Sequence, residues 1–404
     1  MGSRTDHLPP PVTSTTTLQW IRKNLFDTWY NALLTVISLW LIYIIVTGLG
    51  RWMLTSARWD VITDNLRLFM VGQYPVDQVW RIEVAVSLLL VLLGLSWGLW
   101  HGLIANIGRG TLGGFVALAL LPFSLPVRMW LAASVVAMIL AVGSGYGLRR
   151  RGARVTAMAR RVALVGWILS FPASILLLRG IPGVPALPRM ETSLWGGLTL
   201  TFLLAVVGIV ASFPLGILLA IGRRSQMPIT RVLCILFIEL VRGVPLVTIL
   251  FMSQVMLPLF LPQDIRIDRV IRAMVGITLF SAAYMAENVR GGLQAVPEGQ
   301  IEAARALGLS SPLILGLIVL PQALRMVIPA IVGQFISLFK DTTLVAIIGL
   351  MEILNVGRAV LANPQYLGLH REVYLFVAAV FFIFSYAMSY TSYQVEARLG
   401  LGKR

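Results

Sequence analysis

Six ionisable residues stand where the chain is otherwise apolar, and they come in pairs: Glu239 with Arg242, Glu287 with Arg290, and Lys340 with Asp341. A charge at the centre of a bilayer costs about 2.5–3.5 kcal/mol on insertion scales, so groups at that depth are paired or functional. Glu239 and Arg242 are three apart, a spacing at which they can neutralise each other near the external half of their span. "VRGVP" (241–245) then reads as a helix break. Glu287 and Arg290 repeat the spacing, and two readings stay open. They form a second intrahelical pair, or they line a polar pathway, because "AENVRGG" is expected to unwind at Gly291-Gly292 and free backbone groups there. Lys340 and Asp341 are adjacent, point to different helix faces and cannot pair well with each other. With the hydroxyls of Thr342 and Thr343 they either bind a ligand carrying both charges, or stabilise an interface with a second chain or cap a broken helix. His7, His101 and His370 are isolated, so no metal site is expected.

A second stretch, "EAARALGLSSPLILGLIVLP" (302–321), is polar at its start and lies between long apolar runs. Pro297 suits a first helical turn, and Glu298 favours the positive end of the helix dipole. Residues 298–307 are good helix formers, and Gly308 suits a left-handed C-terminal position. Ser311 can cap the next helix, with Pro312 at its first position. The pattern predicts a short helix outside the bilayer, a sharp turn, and re-entry. Ala303, Ala304 and Ala306 let another surface approach closely, while Glu302 and Arg305 brace each other or reach a partner. The plainer reading is a surface helix that links two spans.

These groups must be positioned by membrane helices. The chain has 404 residues, 58% hydrophobic and 12% charged, about half the charged fraction of a soluble domain. Apolar windows predict spans near 30–50, 82–104, 111–127, 129–148, 162–180, 195–221, 232–258, 270–288, 314–338 and 373–395. Pro122 and Pro126 interrupt the third, which can instead pair with the fourth as a re-entrant hairpin and leave eight spans. If Arg22 and Lys23 are cytoplasmic, then "RRRGARVTAMARR" (149–161), "GRRSQMPITR" (222–231), the 288–312 segment and the C-terminal "RLGLGKR" fall on the same side. The segments 51–81, 181–194, 259–269 and 339–372 then fall outside, the first as one or two amphipathic helices. This arrangement and attraction to membrane lipids explain the net charge of +16, and nucleic acid is not an expected partner. The sole cysteine, Cys234, excludes an intrachain disulfide.

Composition divides the chain into three. Residues 1–28 read as a disordered cytoplasmic tail whose Pro/Thr-rich start lacks the apolar core of a signal peptide. Residues 29–190 read as an N-terminal transmembrane scaffold, and "RGIPGVPALPRMETS" (179–193) as a linker. Residues 191–404 hold the charged pairs and therefore the function.

The spacing in 302–321 resembles the EAA loop of ABC-type importer permeases: Glu302, Ala303, Ala304, Gly308, Ile318, Leu320 and Pro321 each match its pattern. "WGGLTLTFLLAVVGIVASFPLGILLAIGRRS" (195–225), "FIELVRGVPLVTILF" (237–251), "AENVRGGLQAVPEGQ" (286–300) and "LFKDTTLVAIIG" (338–349) are similar to segments of the polar amino acid branch. The long N-terminal part is similar to that of the larger permease subunits of general L-amino acid import systems. The resemblance implies an all-α membrane protein, a polytopic bundle of about ten transmembrane helices (eight if the third is re-entrant), with a five-helix type I importer core in its C-terminal half. It implies a bacterial inner-membrane subunit with both termini cytoplasmic that moves L-amino acids by alternating access. Residues 298–310 would be the coupling helix, with Glu302, Ala303, Ala304, Arg305 and Gly308 at the contact with a separate ATPase dimer.

On this reading the chain has no catalytic residues and no cofactor of its own. It carries no GxxxxGK[ST] phosphate loop, so ATP and Mg would belong to the partner ATPase. A second, related permease would complete a heterodimer, and an external binding protein would deliver the amino acid. Glu287, Arg290, Lys340, Asp341, Thr342 and Thr343 are the candidate pathway residues. Asp341 would take the α-ammonium, Arg290 the α-carboxylate, and Thr342 or Thr343 the remaining hydrogen bonds. Two rivals differ in class: an ion-coupled secondary amino acid transporter, which needs discontinuous helices in both halves, and a non-transporting membrane anchor of an ATPase complex.

Overall fold

The computed structural model describes residues 16–121, 123–262 and 267–400. Two compact units divide at Trp59 and Asp60. The first holds α1 (Thr17–Leu25) and α2 (Trp29–Thr55). The expected disordered tail over 1–28 is corrected where it is described: Gln19 Oε1 accepts the Thr16 backbone N–H at 3.2 Å, and residues 17–25 are helical. Residues 1–15 lie outside the described residues. The 27 residues of α2 are long and apolar enough to cross a membrane.

The second unit, Asp60–Arg404, takes in both the expected scaffold from residue 60 and the expected core. Residues 60–81, the part of the expected amphipathic segment that lies in this unit, begin with two short helices. These helices, α3 (Asp60–Thr63) and α4 (Leu66–Val71), bury Val61, Ile62, Phe69 and Val71. Four helices follow: α5 (Trp80–Leu99), α6 (Leu103–Leu120), α7 (Leu125–Arg150) and α8 (Ala153–Arg179). The doubtful third span begins earlier than expected. Pro126 stands in the first turn of α7, where its missing N–H costs nothing, so α6 runs unbroken and is long enough to span by itself. Pro122 lies outside the described residues. Arg81 of α5, fully buried, donates to the Leu177 and Pro188 carbonyls at 3.4 and 3.0 Å, and Tyr74 Oη donates to the Leu178 carbonyl at 2.8 Å. These donors close the C-terminal end of α8, where backbone carbonyls lack helical partners.

The permease-like half begins with α9 (Gly197–Arg223) and α10 (Pro228–Gly243). The chain then bends by 106° into α11 (Leu246–Phe251), which continues through a π-helical segment into α12 (Leu257–Phe260). The expected span over 232–258 is bent at "VRGVP", where a helix break was expected and where Pro245 disfavours a helical Val244. Next come α13 (Arg269–Ala295), α14 (Glu298–Ala306), α15 (Ser311–Leu313) and α16 (Leu320–Asp341), the last two joined by a π-helical stretch at Ile314–Val319. A 3₁₀ segment, Thr342–Ile348, ends at Gly349 in the left-handed region. The expected loop 339–372 carries α17 (Ile353–Leu361), whose inner face is buried, and α18 (His370–Leu399) completes the chain. Among the described residues nine helices can cross a membrane, or ten if the bent pair counts as one span.

Backbone contact ties α4 to the ends of α9 and α17. Gly197 has φ +59°, and a Cβ there would collide with the Phe69 carbonyl oxygen. Its N–H donates to the Met351 carbonyl at 2.8 Å, and Thr199 Oγ1 donates to the Met70 carbonyl at 2.9 Å. Beside this joint Glu352 is fully buried and caps α17, accepting the N–H groups of Leu354 and Asn355 at 2.8 and 2.7 Å. Burial pushes its carboxyl up to about 7, against the lowering pull of those two N–H groups and Arg358.

Candidate functional site

Two arrangements collect the expected residues other than Lys340, Asp341, Thr342 and Thr343: the helix α14 and an ion-pair cluster. The first is α14 itself. Pro297 is its N-cap rather than its first helical residue, and Glu298 opens the helix. The helix ends in a Schellman turn: the Gly308 N–H donates to the Arg305 carbonyl at 2.9 Å, and the Leu309 N–H to the Ala304 carbonyl at 3.2 Å. Gly308 has φ +76°, which a side-chain-bearing residue adopts only at a cost, and open space surrounds it. Ser310, one residue earlier than expected, is the N-cap of α15, with Ser311 at its first position and Pro312 at its second.

The two faces of α14 differ. Ala304 is 2% exposed and packs with Val296, Ile314 and Val319 in an apolar cluster that also holds Leu293 and Ala323. That corrects the expectation of Ala304 as a contact residue: its small side chain lets α14 lie against its own bundle. Glu302, Ala303, Arg305, Ala306 and Leu307 are exposed, and Leu307 is 80% exposed. Gly299, Glu302, Ala303, Ala306 and Leu307 follow the spacing of one helix face, so the outward surface is small-residued with one apolar knob and one carboxylate.

The second arrangement is an ion-pair cluster from three helices. Glu287 of α13 accepts from Arg290 on its own helix, with Arg290 Nε 2.8 Å from Glu287 Oε1. Glu287 Oε2 lies 3.4 Å from Arg242 of α10 and 3.5 Å from Arg223 at the end of α9. Arg223 also pairs with Glu239 at 3.0 Å, and Arg242 lies over the Tyr284 ring, 5.6 Å from its centroid. The expected Glu239–Arg242 pair is therefore replaced by cross-helix pairs. The carboxylates meet the span ends that lead toward α14, not the opposite half of the bundle. Three guanidiniums face two carboxylates, an excess of one positive charge. Arg223 was not singled out in the sequence because it sits in a basic turn, where topology accounts for arginine.

The helix also does not unwind at Gly291-Gly292. It runs unbroken to Ala295, and Gly292 serves a different purpose: a Cβ there would stand 2.6 Å from the Ala323 carbonyl oxygen and 2.8 Å from Val327. The glycine lets α16 approach α13.

That contact also fixes the distance between the candidate charges. Asp341 is fourteen residues beyond Val327 on α16, roughly 20 Å along the helix at 1.5 Å per residue. Arg290, close to Gly292, and Asp341 thus do not bracket one amino acid in this conformation. Nor do the threonines offer their protons. Thr342 Oγ1 donates to the Phe339 carbonyl at 2.7 Å and is buried, and Thr343 Oγ1 donates to the Lys340 carbonyl at 2.8 Å. At the end of a helix, hydroxyls are drawn to their own backbone. Lys340 remains exposed and Asp341 half-buried.

Residues 212–399 match a family model described as the binding-protein-dependent transport system inner membrane component. The inner membrane amino-acid ABC transporter permease protein YhdY of Escherichia coli K12 is 39% identical, over 98% of this chain and 97% of its own. The glutamate/glutamine/aspartate/asparagine transport system permease protein BztC of Rhodobacter capsulatus is 38% identical, over 97% of this chain and 95% of its own. A solved amino acid ABC transporter aligns with 50% of this chain and 92% of its own, at 27% identity and a TM-score of 0.45.

Proposed function

The chain belongs to the amino-acid ABC transporter permeases, multi-pass inner-membrane proteins that are non-catalytic subunits, and from that premise we propose an ATP-driven importer of L-amino acids working by alternating access. The observation that carries the reading is α14. Its outward face of Glu302, Ala303, Ala306 and Leu307 is free for a partner, while its inward face at Ala304 is seated on the ends of α13 and the π-helical stretch before α16. A helix held on that side and open on the other can pass a push from an ATPase subunit into the membrane helices.

Residues 298–310 dock on an ATPase dimer that binds ATP and Mg, and both termini lie on that cytoplasmic side. A second, related permease completes the pore, and an external binding protein supplies the amino acid at the opposite end. Lys340 and Asp341 meet the substrate there, and the Glu287–Arg290 cluster meets it nearer the cytoplasm, as successive stations rather than one pocket. Thr342 and Thr343 support the first station through their backbone.

Reconstitution of the whole complex in proteoliposomes tests this. Uptake of a labelled L-amino acid should require internal ATP and external binding protein and should survive collapse of the proton gradient. Uptake that persists without ATP and stops when the gradient is dissipated contradicts it.

A further inference from the structure

We propose that the groove between the α9–α10 turn and α14 binds an anionic phospholipid of the surrounding bilayer. The groove encloses about 570 Å³. Leu218, Ile221, Leu315 and Val319 give it an apolar lining, and Arg224, Arg305, Thr230 and Ser311 give it a polar one. Among the described residues no carboxylate lines it, so two guanidiniums leave it positively charged.

Its place matches the edge of a bilayer. The α9 span, assigned by its length and composition, ends at Arg223, so Leu218 and Ile221 belong to the span while Ser225, Gln226 and Met227 of the same lining follow it. Leu313 and Leu317, close in sequence to the lining residues Ser311 and Leu315, are exposed and add apolar surface suited to acyl chains. A free phosphate would satisfy only the arginines and hydroxyls. A phospholipid fills both halves, with its phosphate on the guanidiniums and the start of an acyl chain along the leucines. Arg224 is already aimed by one bond, from Nη1 to the Leu293 carbonyl at 3.2 Å.

The consequence concerns α14. Ile301 and Arg305 both line the groove, whereas Ala303, Ala306 and Leu307 do not. A bound lipid therefore braces α14 from the side away from its outward face, and the inference goes beyond the transport reading without depending on it.

Native mass spectrometry of the purified complex, titrated with phosphatidylglycerol or with phosphatidylcholine of the same acyl chains, reads the site. Phosphatidylglycerol should be retained at lower concentration. Arg224→Gln should reduce that preference about fivefold, the effect of one arginine near an anionic surface. Leu315→Trp, which fills the apolar lining, should lower retention of both lipids. Arg231→Gln, in the same turn but outside the lining, should leave the preference intact. Equal retention of the two lipids by the wild type overturns the proposal, as does a preference unchanged in Arg224→Gln together with retention of both lipids unchanged in Leu315→Trp. So does a Gln226→Cys thiol shielded from maleimide by the ATPase subunit but not by phosphatidylglycerol, which assigns the groove to protein.

Discussion

The amide of Leu309 reaches back across Gly308 to the carbonyl of Ala304 at 3.2 Å, and Ala304 is itself buried against the membrane helices. The turn and the seat of α14 are therefore one construction. The bond that reverses the chain also holds the residue by which the short helix sits on its bundle, so α14 and the entry to α16 share one set of contacts. In the transport reading this is what lets a push on an exposed helix reach the spans.

Gly308→Ala tests the turn. At φ +76° an L-residue pays about 1–2 kcal/mol, with nothing nearby to clash. Amino acid uptake should fall several-fold while the unfolding temperature of the purified chain changes little, since the strain is confined to a surface turn. Uptake equal to wild type would show that the turn is not needed for coupling.

The Glu287 cluster predicts an asymmetry between its two acids. Glu287→Gln leaves Arg223, Arg242 and Arg290 facing one carboxylate and should cost about 1–3 kcal/mol in thermal unfolding. Glu239, with its side chain 55% exposed, has one partner in Arg223, and Glu239→Gln should cost under about 1 kcal/mol. Equal costs would contradict Glu287 as the hub.

Gly197→Ala should prevent the assembly of residues 60–404, because both its φ of +59° and the nearby Phe69 carbonyl exclude a methyl group. Size-exclusion profiles of detergent extracts should lose the folded peak. By comparison, Gly333→Ala, at a helical position with open space, should keep it.

The sequence made the helices legible and the joints much less so. Apolar length marks a span whatever surrounds it, so each of the ten windows overlaps a helix, though 111–127 runs past the end of α6 and 232–258 takes in a bend, and Gly308 announced its turn because few residues tolerate that conformation. Pairing was harder. Glu239 and Arg242 have the spacing of an intrahelical pair, yet side chains on adjacent helices offered each a better partner. Gly292 looked like a break and is a contact, because a glycine in a helix serves close approach as readily as unwinding. Arg290 and Asp341 carry complementary charges, but only the antiparallel register of α13 and α16 reveals the length of helix between them. Glu352 gave no signal, since its burial depends on α9 and α17 meeting.

Glu352 also predicts a pH dependence. With its carboxyl raised by burial from 4.5 to about 7, the folded chain holds a proton between those values that the unfolded chain has lost. Stability should therefore fall as pH rises from about 4.5 to 7, by on the order of 3 kcal/mol, and level off above. Glu352→Gln, which cannot titrate, should flatten that part of the pH profile of thermal unfolding. A profile unchanged by the substitution would contradict the assignment.

Co-purification of the ATPase subunit from native membranes, wild type against Ala303→Arg, tests the central claim most directly. Ala303 is exposed on the outward face of α14, so the long side chain should disturb docking without disturbing the fold. The account predicts that wild type brings the ATPase down and that Ala303→Arg, extracted as the same folded species, loses it. A wild type that retains no ATPase, or an Ala303→Arg variant that retains it in full, would contradict the account.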